Sequence, residues 1–171
     1  NLPLRGGKGW LYEGGIREAF LIRAPGTAAP QSTCDVPVVS TDFYPTLLEL
    51  TGAPLRAQQH LDGISLVPLL KGGDRLNRDA IFWHYPHYSN QGGFPGGAIR
   101  SGPWKLIERF EDGSAQLYNL DSDVGERTDV AGKHPARVDE MKRNLHAWYR
   151  QVDAKFLRPK RGGPQPWRPA D

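Results

Sequence analysis

At 171 residues the chain is long enough to bury a core as one domain, or a domain and a half. Its 22 Lys and Arg against 19 Asp and Glu leave a net charge of +3, too small to argue for nucleic acid as a partner. A single cysteine excludes an internal disulfide, and no run of about eighteen apolar residues exists to span a membrane.

Glycines at 6, 7 and 9 bracket Lys8, so the backbone there is free to take positive φ and to approach another group closely. Lys8 is thereby carried on a bare loop. Its ammonium is a compact charge with three donors, suited to a tetrahedral oxyanion such as phosphate or sulfate. On local chemistry alone the other reading is a surface turn with a solvated lysine. The spacing is not that of a P-loop. Gly14 and Gly15 follow Glu13 as a turn, and the apolar run Ala19-Phe20-Leu21-Ile22 predicts a buried strand over residues 18–24, stopped by Pro25 and Gly26. Val36 to Val39 adds a short extended piece that Pro37 restricts to an edge.

Ser40 or Thr41 then caps a helix whose apolar stripe is Phe43, Leu47, Leu48 and Leu50, ended by Gly52. Asp42 reads as a carboxylate facing the helix start rather than a catalytic group. His60 reads as a solvated loop residue. Ser65 caps a short helix through Leu66, Leu69 and Leu70, broken at Gly72-Gly73. Ala80 to Tyr88 begins as an aromatic strand and becomes a glycine-rich loop at Pro86, running to Gly97. Such a loop either meets a ligand with rings and imidazoles or is a packed strand end with satisfied histidines. His84 and His87 have no third ligand nearby, so no metal site is assigned.

Ala98–Ser101, Trp104–Phe110 and Gln116–Leu120 predict an antiparallel meander, with turns at Gly102-Pro103 and Asp112-Gly113. Asp121 to Arg127 lacks the EF-hand spacing and reads as a turn with capping carboxylates. From Pro135 to Phe156, Val138, Met141, Leu145, Trp148, Val152 and Phe156 form one stripe, predicting a helix of about six turns packed on the meander. His146 falls on its polar flank as a solvated residue. The Pro/Gly/Arg-rich tail, 158–171, reads as irregular or mobile.

Taken together, Asn1-x-Pro3-Leu4-Arg5-Gly6-Gly7-Lys8-Gly9, Tyr12-Glu13-Gly14-Gly15-Ile16-Arg17 and Pro25-Gly26 resemble the second signature region of type I, formylglycine-dependent sulfatases of the alkaline phosphatase superfamily. Val39 to Gly52, Leu61 to Leu70, Ala98-Ile99-Arg100, Trp104 to Ile107, and Leu117-Tyr118-Asn119-Leu120 with Glu126 resemble later segments of that family, so the resemblance reaches about residue 157. It implies an α/β fold class: the C-terminal portion of an alkaline-phosphatase-like fold, ending in a small antiparallel sheet packed by a long C-terminal helix. Residues 1–75 would end the main α/β domain, with the apolar side chains after Ser65 packed on its sheet. Residues 76–157 would form the antiparallel subdomain, and 158–171 the tail.

The resemblance assigns sulfate binding to Lys8, and His84, His87 and Arg100 are the candidates to line a substrate pocket beside it. It also implies calcium and a formylglycine nucleophile in the complete enzyme. Cys34 is followed by Asp35-Val36-Pro37-Val38 and fails the Cys-x-Pro/Ala-x-Arg pattern, and the acidic calcium-ligand regions are missing. The chain also starts inside a loop without methionine. The expectation is the C-terminal part of a sulfatase, inactive without its N-terminal part, acting on a sulfate ester or sulfated glycan in an exported or lysosomal protein. Two other readings stand beside it: a non-catalytic module binding sulfated glycans or a partner chain, and a phosphate or phosphonate ester hydrolase of the same superfamily.

Overall fold

A computed structural model describes residues 1–169. The chain forms two compact units: Asn1–Ala19 together with the chain from Asp79 onward, and Phe20–Arg78.

The larger unit is built on four antiparallel strands in sequence order, β1 (Ile81–Tyr85), β2 (Gly96–Ser101), β3 (Trp104–Arg109) and β4 (Ala115–Asn119). The β2–β3 connection is two residues long, and Gly102 takes the positive φ of 55° that such a turn demands. Gly113 does the same at 73° in the β3–β4 turn. Both faces of this sheet are covered. On one face Ile99, Leu106, Phe110 and Leu117 pack against Met141, Leu145 and Tyr149 of the long helix α4 (Pro135–Gln151). On the other, Ala98, Ile107 and Tyr118 pack with Leu11, Tyr12 and Phe94. Double coverage explains why β3 is buried at four consecutive positions instead of alternating.

Helix α4 begins with proline at its first position, where a missing N–H costs nothing. It is shorter than the expected run to Phe156. Asp153 takes a left-handed φ of 49°, and the Ala154 N–H turns back to the Tyr149 carbonyl at 2.9 Å, which closes the helix. Val152 is therefore exposed, Tyr149 takes the place in the buried stripe, and Phe156 packs from the segment beyond. The tail has no regular element up to residue 169, yet Trp167 stacks on Phe110 at 5.7 Å between ring centroids. Residues 170 and 171 of the expected tail lie outside the described residues.

The turn after β4 is capped as expected. Asp123 accepts the backbone N–H groups of Arg127 and Thr128, each at 2.8 Å. Asp123→Ala is expected to cost about 1 kcal/mol, read as a lower urea midpoint at unchanged slope.

The smaller unit contains a 3-10 turn (Ser40–Asp42) and the helices α2 (Phe43–Leu50) and α3 (Val67–Leu70). Its centre is the fully buried Asp42. That carboxylate accepts the N–H groups of Val39 and Ile64 and both guanidinium nitrogens of Arg78, at 2.8–3.0 Å. Thr46 donates to the Asp42 carbonyl and accepts the Leu66 N–H. These bonds turn Pro45 and Thr46 inward, so the stripe expected to be buried is covered only in part: Phe43 and Leu47 are exposed, Leu47 at 58%, and Leu48 and Leu50 are half-buried. Ser65 accepts the Val67 N–H at 3.2 Å, but from one residue before the N-cap, which is Leu66 and not Ser65.

Two other expectations are corrected in this unit. The run over residues 18–24 forms no strand, and Leu21 is 96% exposed. Its apolar content calls for burial, but a strand needs a neighbouring backbone to complete its hydrogen bonds. His60 is not solvated: its ring meets Tyr44 edge-on at 6.3 Å, and its Nε2 is buried with no partner. No helix among the described residues is long and apolar enough to cross a membrane.

Candidate functional site

Lys8 is exposed at the crest of a loop whose shape is fixed on both sides. Gly6 and Gly9 take φ of 73° and 88°, conformations that a side chain would strain. The loop closes where the Gly14 N–H donates to the Arg5 carbonyl at 2.8 Å. Glu13 to Ile16 form a four-residue helix, α1, where a plain turn into a strand was expected. Its glycines serve close approach. A Cβ on Gly14 would lie 2.4 Å from the Arg5 carbonyl oxygen, and one on Gly15 would lie 2.2 Å from that of Trp10. The loop's own carbonyls are folded down onto the helix.

The glycine-rich loop after β1 meets this one backbone to backbone. A Cβ on Gly93 would lie 1.8 Å from the Gly9 carbonyl oxygen, so no larger residue fits there without separating the two. Trp10 Nε1 donates to the Gln91 carbonyl at 3.1 Å, and Trp10 and Phe94 pack edge to face. The Arg5 guanidinium lies 4.0 Å over the Tyr12 ring.

The sequence candidates divide between the two faces of the sheet. His87 is exposed, beside Tyr85, which packs with the cluster under the Lys8 loop. His84 is not brought to Lys8. Strand parity turns it to the α4 face, among Phe110, Tyr149 and Phe156, where its Nε2 lies 2.6 Å from the Lys155 carbonyl oxygen. Burial there pushes its pKa down, and its Nδ1 has no partner. Arg100 is on the same face as the Lys8 loop, but its guanidinium is directed at Glu13, with Nη1 3.9 Å from Oε2.

Beneath the Lys8 loop lies a buried ion cluster that sequence reading missed. Lys105 is fully buried, and its Nζ lies 2.9 Å from both Glu13 Oε1 and Glu126 Oε1. Glu126 Oε2 accepts the Glu13 N–H at 2.6 Å. Arg5 donates to the Glu126 carbonyl and to the Tyr118 hydroxyl, both at 2.9 Å. Burial pushes the Glu126 pKa up, against the pull of Lys105, and likewise raises Tyr118 and Tyr12. The available signal was Lys105 itself, a charge centred in the otherwise apolar Trp104-Lys105-Leu106-Ile107.

The α4 face has its own buried carboxylate, Glu108, which binds His146 Nε2 at 2.9 Å and Lys142 Nζ at 3.1 Å. His146 is therefore a partner of the sheet, not a solvated residue. Among the described residues no three His, Cys, Asp or Glu side chains converge as metal ligands. Glu13 and Glu126 are turned to Lys105 instead, so this donor set does not fit calcium.

A model of the C-terminal region of N-sulphoglucosamine sulphohydrolase matches residues 7–155. A sulfatase of Formosa agariphila is 36% identical over 163 residues, covering 86% of this chain and 30% of that protein. Among solved structures, Ps i-CgsB in complex with k-i-k-neocarrahexaose matches with a TM-score of 0.76 at 29% identity, over 95% of this chain and 36% of that one. BT4656, in complex with its substrate D-glucosamine-2-N,6-O-disulfate, matches with a TM-score of 0.57 at 25% identity, over 66% of this chain and 24% of that one. The chain thus spans 24–36% of the length of these proteins. With residues 1–17 of the signature block folded as a loop closed by the short helix α1, and the sheet and long helix in their expected order, this chain belongs to the sulfatase family and carries the C-terminal part of its alkaline-phosphatase-like fold.

Proposed function

We propose that this chain is the C-terminal part of a sulfate ester hydrolase, in which Lys8 binds the sulfate group and the surrounding loops form part of the substrate pocket. The observation that carries this reading is an exposed ammonium on a loop locked by glycines and docked on a second glycine-rich loop. A fixed positive charge is worth most where charge gathers on the sulfate oxygens during S–O cleavage. His87, exposed on the side that carries Lys8, would contact the rest of the substrate in this reading. The disulfated sugar bound by BT4656 supports a sulfated sugar as the substrate class.

In this reading the nucleophile and calcium come from outside this chain, which does not turn over alone. Cys34 is exposed and lacks the sequence context for formylglycine. An exported or lysosomal location is part of the same proposal.

The test is Lys8→Ala in the protein as its source makes it, assayed on 4-methylumbelliferyl sulfate. The rate is expected to fall at least about 100-fold. The melting temperature should hold, because Lys8 is exposed. Unchanged turnover overturns the assignment.

A further inference from the structure

The turn at Gly125-Glu126 holds the Lys8 loop at both ends. On the side preceding Lys8, a Cβ on Gly125 would stand 3.0 Å from the Pro3 carbonyl oxygen, and Arg5 donates to the Glu126 carbonyl at 2.9 Å. On the side following it, the Glu126 carboxylate accepts the Glu13 N–H at 2.6 Å, across 113 residues of sequence. Lys8 lies between these anchors. Two further features set Glu126 apart from an ordinary turn residue. Its φ is +49°, a left-handed conformation unusual for glutamate and held only where the surroundings over-determine it. It is also fully buried, with Lys105 against one carboxylate oxygen. Glu126 thus grips the loop at two points, through its backbone carbonyl at Arg5 and through its carboxylate at Glu13.

We propose that Glu126 is a positioning residue for Lys8, setting the place of its ammonium relative to the sulfate through the Arg5 and Glu13 ends of the loop. The inference rests on the reading of Lys8 as the sulfate-binding group. Displacing a reacting group by about 1 Å costs up to about 100-fold in rate. Misplacing Lys8 has a cost only while Lys8 is present.

A double-mutant cycle in the protein as its source makes it reads this out, with 4-methylumbelliferyl sulfate as the probe and thermal melting alongside. Glu126→Gln is expected to lower kcat/KM by about 10- to 100-fold with Lys8 present, and less than about twofold in the Lys8→Ala background. The fall in melting temperature should be the same in both backgrounds. Equal fold-losses in the two backgrounds, or no loss in either, overturn the inference while leaving the Lys8 assignment intact. A Lys8→Ala protein with unchanged rate overturns the assignment and this inference with it. Where Glu126→Gln does not fold, Gly125→Ala, which presses on Pro3 without touching the carboxylate, enters the same cycle with the same two outcomes.

Discussion

Lys105→Met is expected to destabilise the larger unit by about 3–5 kcal/mol, measured by urea unfolding at pH 7. Methionine keeps most of the lysine stem, so little packing is lost and the effect isolates the charge. What remains is two carboxylates, Glu13 and Glu126, both buried and both formerly 2.9 Å from the missing ammonium. The pH dependence carries a definite sign. Burial raises the Glu126 pKa above its ordinary value of 4.5, so the folded state takes up the proton before the unfolded state does. Stability from that uptake is complete below about 4.5 and is lost as the pH rises through the folded value. Without Lys105 the shift grows, so the deficit of the variant should narrow between pH 7 and pH 5. A deficit that widens over that range contradicts the account, and Glu126→Gln added to Lys105→Met should recover part of it.

The second large effect concerns Gly15. Inside a helix, alanine is ordinarily better than glycine by about 0.5–1 kcal/mol. Here the sign reverses. An added Cβ would lie 2.2 Å from the Trp10 carbonyl oxygen and 2.4 Å from that of Gly7, and neither backbone atom can rotate away. Gly15→Ala is expected to cost about 1–3 kcal/mol by thermal melting. It should also lower turnover of 4-methylumbelliferyl sulfate, since relief comes only by lifting the loop that carries Lys8. Gly132, in the short 3-10 turn before α4, is the control. Nothing lies within 4 Å of a Cβ there, and Gly132→Ala should be neutral or mildly stabilising in the same melt. If Gly15→Ala behaves like Gly132→Ala, the close approach does not constrain the loop.

Local signals account for what the sequence made legible. The meander is punctuated by Gly102-Pro103 and Asp112-Gly113, and the α4 stripe repeats at three and four, so the hairpins appear where expected and the helix does as far as Gln151. Lys8 was singled out by the whole signature string, since its glycines alone also fit a solvated turn. The ion cluster was not, because Lys105 meets Glu13 across 92 residues and Glu126 meets Glu13 across 113, distances that no local period encodes. His146 illustrates the same limit. Helical phase places it on a polar flank, and only the sheet beneath reveals that Glu108 reaches up to it. His84 and Arg100 were grouped with Lys8 by composition, but strand parity sends His84 to α4, and Arg100 is directed at Glu13. The run over 18–24 fails differently, since apolar content reports a demand for cover and not where the cover comes from.

The two-sided sheet has a consequence for inherited variation. Along β3, the side chains of Lys105 and Ile107 lie under the Lys8 loop, while those of Leu106 and Glu108 lie under α4. Neighbouring codons therefore answer to different demands. A missense change at Leu106 or Leu117 would yield scarce protein whose surviving molecules keep the Lys8 loop in place. One at Lys105 would act on abundance and on the loop at once, leaving two buried carboxylates without their ammonium and loosening the floor on which the Lys8 loop rests, so its surviving molecules would be fewer and differently shaped.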